Sequence, residues 1–146
     1  MPMVDLIDET FVVADPLAVA AAVHDTSVTD RFWPDLELTV FQDRTTAGVR
    51  WTVTGALVGS AEMWLEQWGD GVLLHVYVRA DITRRGSATD PITGSPRRLR
   101  RRAALELRRR AWAIKKAAWQ LKTDLEGGRA PGQRRFGEDP RPAPHA

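Results

Sequence analysis

The spacing of apolar residues switches from alternation to helical periodicity and back between residues 4 and 126, and each switch predicts an element. Val4–Val13 alternates imperfectly and is rich in β-branched and aromatic residues, which favours a strand over a short helix. Asp15-Pro16 supplies a helix cap with proline at the first helical position, and Leu17–His24 continues as a short alanine-rich helix. Thr26 and Ser27 offer the cap of a second short helix, which Pro34 stops after Phe32 and Trp33. From Leu36 the period becomes two, predicting four strands in a meander: Leu36–Phe41, Val49–Thr54, about Ser60–Trp68, and Val72–Ile82. Gly55 and Gly59 mark a bend or bulge in the middle of this run.

Gly69-Asp70 or Asp70-Gly71 supplies a tight turn, and if Trp68 pairs with Gly71 around two residues the register that follows is testable. One face then carries Leu65 opposite Leu74, Met63 opposite Val76 and Ala61 opposite Val78. The other carries Glu66 opposite Leu73, Trp64 opposite His75, Glu62 opposite Tyr77 and Ser60 opposite Arg79. A slip of one residue would destroy this separation, so the clean division supports the turn. Alternation defines two faces without saying which looks inward. Thr83–Pro96 has turn residues and no period, and is expected to be a flexible surface loop. Ser95-Pro96 then opens the longest helix, in which Ala103, Leu107, Ala111, Ile114, Ala118, Leu121 and Leu125 draw one stripe flanked by Leu105, Trp112 and Trp119. Gly127-Gly128 ends it, so residues 1–126 are expected to form one domain and 127–146 a disordered tail.

Charge changes this picture in one place. Residues 1–96 sum to −8, residues 97–122 to +10 and the remainder to zero, so the basic side chains lie almost wholly on the long helix. No nucleic-acid fingerprint or phosphate-binding loop accompanies the block, and nucleic acid is therefore not the expected partner; a solvated helix face is. The alternative, an interaction protein using this basic helix, stays open. With no cysteine there are no disulfides, thiolate metal sites or thiol nucleophile. The apolar run Leu17–Val23 is far too short to span a bilayer, and a cytoplasmic protein is expected. His24 and His145 lie in unrelated segments and show no metal-ligand spacing, so neither a metal nor a cofactor is expected.

The order of strand, two short helices, meander and long terminal helix, with Asp15-Pro16, Phe32-Trp33-Pro34 and the stretch GSAEMWLEQWGDGVLLHVYVRAD, resembles the START-like superfamily. Within it the chain is most similar to actinobacterial polyketide cyclase/dehydrase-type proteins. The resemblance implies an α+β helix-grip fold, in which an antiparallel sheet curls around the long C-terminal helix and leaves a cavity for an apolar, lipid-like or polyketide-like molecule. Candidates to line it are Trp33, Trp51, Met63, Leu65, Leu74 and Val76, with Ala111, Trp112, Ala118 and Trp119 from the helix. Four strands after the helices are fewer than such proteins usually have, which implies a smaller or more open cavity.

Glu62, Glu66, His75 and Arg79 are the clustered polar groups of catalytic type on regular structure. If their face turned inward, His75 beside Glu62 or Glu66 would serve as a base and Arg79 would hold an enolate, chemistry suited to polyketide cyclisation or dehydration. Otherwise they form an outer sheet face, with Trp64 and Tyr77 covered by arginine stems or by a second copy of the chain in a homodimer.

Overall fold

The computed structural model describes residues 2–127. Its strands are β1 (Val4–Val12), β2 (Leu36–Asp43), β3 (Gly48–Gly55), β4 (Leu57–Trp68) and β5 (Gly71–Ile82). They form one antiparallel sheet in the order β1-β5-β4-β3-β2. Helices α1 (Pro16–Val23) and α2 (Thr26–Phe32) follow β1, and α3 (Pro96–Glu126) closes the chain. This is the expected α+β helix-grip. The expected tail from residue 128 onward lies outside the described residues.

The hairpin register is the one the turn demands: Trp68 pairs with Gly71, Leu65 with Leu74, Met63 with Val76, Ala61 with Val78 and Trp64 with His75. The apolar face looks inward, since Met63, Leu74, Val76 and Val78 are fully buried and Leu65 nearly so. Against it pack Val19, Val23, Val28, Phe32 and Trp33 from α1, α2 and the turn after them. Gly48 admits the start of β3 close to β4, where a Cβ would collide with the Met63 carbonyl, so this crossing requires glycine.

Helix α1 is capped by Asp15, as expected, whereas α2 is capped one residue earlier than Thr26: the Asp25 carboxylate accepts from the Ser27 amide at 2.9 Å. An aspartate outcompetes the hydroxyls because its charge also meets the positive end of the helix. The segment after β5 departs from the flexible loop expected of it. Thr83 bridges Pro91, the Ile92 amide donates to the Ile82 carbonyl at 2.7 Å, and the Gly55 amide donates to Ala88 at 3.0 Å, tying the loop to the β3–β4 turn. Composition revealed the turn residues but not these partners.

Helix α3 lies along β1, the edge of the sheet. Lys115 Nζ reaches the Glu9 carbonyl at 3.1 Å and Asp8 at 2.9 Å, and Lys122 Nζ reaches the Phe11 carbonyl at 2.6 Å. The two ammonium groups thus occupy backbone acceptors that an open sheet edge would leave for another strand. The packing is confined to the second half of the helix: Arg110, Ile114, Ala117, Ala118, Leu121 and Glu126 are buried, while no residue from 96 to 109 is.

Candidate functional site

Since α3 covers the β1 side, the concave surface over β2 and β3 is left to α1 and α2, which do not close it. A pocket of about 370 Å³ opens there, floored by Leu36, Leu38, Val40, Val49 and Trp51 and walled by Val23, His24, Thr26, Thr29 and Asp30. Its depth runs from a buried Trp51, 5% exposed, to a rim at Val40, 59% exposed. Glu37 completes the lining and, with Asp30, places two carboxylates beside the apolar floor.

One rim is fixed by a bulge. Val40 pairs with Trp51 but Gln42 pairs with Arg50, so Phe41 is an extra residue in β2. The bulge reverses the parity of the strand, and Asp43 returns to the inner side that Val40 and Leu38 occupy. There Asp43 Oδ1 meets His24 Nε2 at 2.8 Å, while His24 Nδ1 meets the Ala20 carbonyl at 2.6 Å. Both ring nitrogens face acceptors, an arrangement that suits the imidazolium. The Ala20 carbonyl raises the His24 pKa above 6.5, burial opposes the rise, and Asp43 reinforces it. The His24 hydrogen bond in turn holds Asp43 below its usual carboxylate value, with help from the Thr45 amide.

A pH dependence follows. Folding raises the histidine's pKa, so its contribution is complete below 6.5 and is lost as pH rises through the elevated value. The aspartate, depressed on folding, loses its contribution as pH falls through its lowered value. NMR titration should place His24 above 6.5 in the native protein, and Asp43→Asn should move it down. An unchanged titration in the variant would show that the carboxylate does not act on the ring.

The sequence-predicted residues separate into groups. Trp51 lines the pocket, whereas Met63, Leu65, Leu74 and Val76 are buried beneath the helices. Trp33 is fully buried and its ring meets those of Phe32 and Trp51 at 5.8 Å, filling the concave space rather than bordering an opening. Ala118 is buried and Ala111 half-buried on the packed side of α3. Trp112 and Trp119 are 72% and 62% exposed on its outer side, so they do not border the space between helix and sheet. Their seven-residue spacing from Leu105 placed them beside the stripe, but on the flank turned away from β1.

His75, Glu62, Glu66 and Arg79 share the convex face and line no part of the pocket over β2–β3. His75 Nε2 meets Glu66 Oε2 at 3.0 Å, and Nδ1 lies 3.3 Å from Glu9 Oε1 outside hydrogen-bond geometry. The imidazole stacks on its cross-strand partner Trp64 at 4.5 Å. Glu62 is held by Arg44 at 2.6 Å and Arg79 reaches Asp5 at 3.4 Å. His75 and Glu66 thus pair with each other, while Glu62 and Arg79 line a separate cleft of about 380 Å³ on this face with Asp5, Ile7, Arg50, Ser60 and Tyr77. Sequence reasoning missed His24 and Asp43 as partners. Their meeting depends on the bulge, for which Phe41 gave no separate signal.

No family model matches the chain, and no curated protein matches it. Among solved structures it is similar to a crystal structure of a protein from Deinococcus radiodurans, with a TM-score of 0.58 and 9% identity over 85% of this chain and 98% of that one. It is also similar to the Aha1 dimer of Colwellia psychrerythraea, TM-score 0.53 at 14% identity over 87% and 99% of the two chains. A third is the Polyketide_cyc-like protein of Corynebacterium glutamicum, TM-score 0.51 at 13% identity over 88% and 96%. The chain shares its fold with these structures, the Polyketide_cyc-like protein among them. At these identities the likeness concerns the path of the chain and not its chemistry.

Proposed function

We propose that the protein binds a small apolar molecule, lipid-like or polyketide-like, in the pocket between α1–α2 and the β2–β3 half of the sheet. The observation that carries this reading is a cleft of about 370 Å³ whose floor is Val, Leu and Trp, with His24, Thr26, Thr29 and Asp30 in its wall. That volume is near the lower end of the roughly 300–1,000 Å³ typical of small-molecule sites, which favours a compact ligand. Trp51 offers a ring face to an apolar guest, and Thr29, Asp30 and Glu37 offer polar contacts to any hydroxyl it carries. A cavity between sheet and α3, where the fold resemblance pointed, has less support, because α3 packs along β1 with Ile114, Ala118 and Leu121 buried.

Two measurements test the reading. Native mass spectrometry of protein purified without detergent should reveal a co-purifying small molecule. Leu38→Trp, which fills the half-exposed floor of the cleft, should weaken binding of anilinonaphthalene sulfonate roughly tenfold while leaving the circular dichroism unchanged. Equal affinity in a folded variant would move the site elsewhere.

A further inference from the structure

The outer side of α3 is a second surface with its own chemistry. At about 100° per residue, Leu105, Trp112 and Trp119 fall within about 40° of one another on the helix circumference. They are 53%, 72% and 62% exposed, an apolar line that no other element among the described residues covers. Within about 60° to either side lie Arg97, Arg98, Arg101, Arg102, Arg108, Arg109 and Lys116, all exposed, with Lys115 and Lys122 at the margin nearest β1, where they bind Asp8 and Glu126. Between residues 97 and 123 this arc holds no acidic side chain: Glu106 and Asp124 lie on another side of the helix, bound to Arg110 and Arg31. Arg110 on the packed side and Lys115 and Lys122 at the margin each have a carboxylate partner, whereas none of the seven exposed cations has one among the described residues.

We propose that this face of α3 docks the protein on an anionic lipid bilayer, with the helix lying in the plane of the interface. Two tryptophans and a leucine in line, flanked by cations, match the two components of such a surface. Indole rings settle at headgroup depth, and Arg and Lys hold lipid phosphates while their stems cover apolar area. Nucleic acid matches less well. Phosphate contacts would engage the arginines but leave the Leu105–Trp112–Trp119 line in water, and no groove takes two adjacent indoles side-on. A second copy matches less well too, since a symmetric contact through this face would oppose like charges. The proposal is independent of the pocket, which lies on the far side of the packed helices.

The test uses the full chain with vesicles of phosphatidylcholine alone and with roughly one third phosphatidylglycerol. Sedimentation should show strong preference for the anionic vesicles, with Trp emission shifting to the blue. Arg101→Gln/Arg108→Gln/Arg109→Gln should weaken binding roughly a hundredfold and Trp112→Ser/Trp119→Ser roughly tenfold. Neither should change thermal stability, because the substituted side chains are exposed. Absence of binding, or equal binding to both vesicle types, overturns the proposal. So does tighter binding to duplex DNA than to anionic vesicles, which assigns the face to nucleic acid. A dimer in sedimentation equilibrium that Trp112→Ser/Trp119→Ser dissociates overturns it in favour of self-association.

Discussion

Trp33→Ala should cost about 4 kcal/mol and lower Tm by about 15 °C, the largest loss expected from any single truncation in this core. Trp33 is fully buried and has aromatic neighbours on two sides, edge-on to Trp51 and tilted to Phe32. Its removal loses transfer free energy, two ring contacts and the packing that separates α2 from the sheet. The indole N–H, however, is buried without a hydrogen-bond partner. That unmet donor disfavours the native state, so Trp33→Phe should cost far less, about 1 kcal/mol, because the smaller ring removes the donor along with some volume. A dry cavity in Trp33→Ala should bind indole and regain part of the lost stability in its presence. Chemical denaturation of both variants, with and without indole, checks all three statements. A Trp33→Ala loss below about 1 kcal/mol would mean that the space is not held open by this ring.

The register of β4 and β5 could be read from residues because two local signals agreed. Gly69-Asp70 fixes the turn, and only one register then separates Met63, Leu65, Leu74 and Val76 from Glu62, Trp64, His75 and Tyr77. The cap and stop of α3 were equally legible: Ser95 Oγ accepts from the Arg98 amide, and Gly127 ends the helix in the left-handed conformation. Which face of the sheet turns inward was not legible, because parity labels neither side. What decides it is the apolar content of α1 and α2, whose Val19, Val23, Val28 and Phe32 need a surface that the Glu62–His75 side does not offer.

The pocket was less legible than the fold. Trp51, an expected lining residue, borders the cleft, but no spacing marks Leu38, Val40 and His24, because β2 reads as an ordinary half-buried strand. What exposes them is the coverage of the sheet: α3 takes the β1 edge, and the short α1 and α2 do not reach across β2. Coverage depends on where the helices dock, not on any one residue's spacing. Nor does sequence order reveal the parity change at Phe41 that brings Asp43 to His24. Arg110 is a different case, because its signal was present. It stands four residues before Ile114 and seven before Ala117, on the packed side of α3, yet it reads as one more member of a basic run.

Arg110→Ala should therefore destabilise the protein by about 3 kcal/mol and lower Tm by about 10 °C, while Arg109→Ala, its exposed neighbour, should be close to neutral. Arg110 is 4% exposed, and its two terminal nitrogens bind the two Asp35 oxygens at 2.6 Å each, with Nε on Glu106 at 2.7 Å. Burial works against the charged guanidinium, but the Asp35 and Glu106 carboxylates outweigh it and hold its pKa above the ordinary value. Asp35 lies in the turn between α2 and β2, so this fork joins the long helix to the segment that carries Trp33 at one end and Leu36 at the other. Lysine cannot reproduce the paired contact, and Arg110→Lys should recover less than half of the loss. Asp35→Asn should also destabilise, leaving the buried cation with Glu106 alone. A double-mutant cycle between positions 35 and 110 measures the coupling, and an additive result would place the cost of Arg110→Ala in lost packing instead of the ion pair.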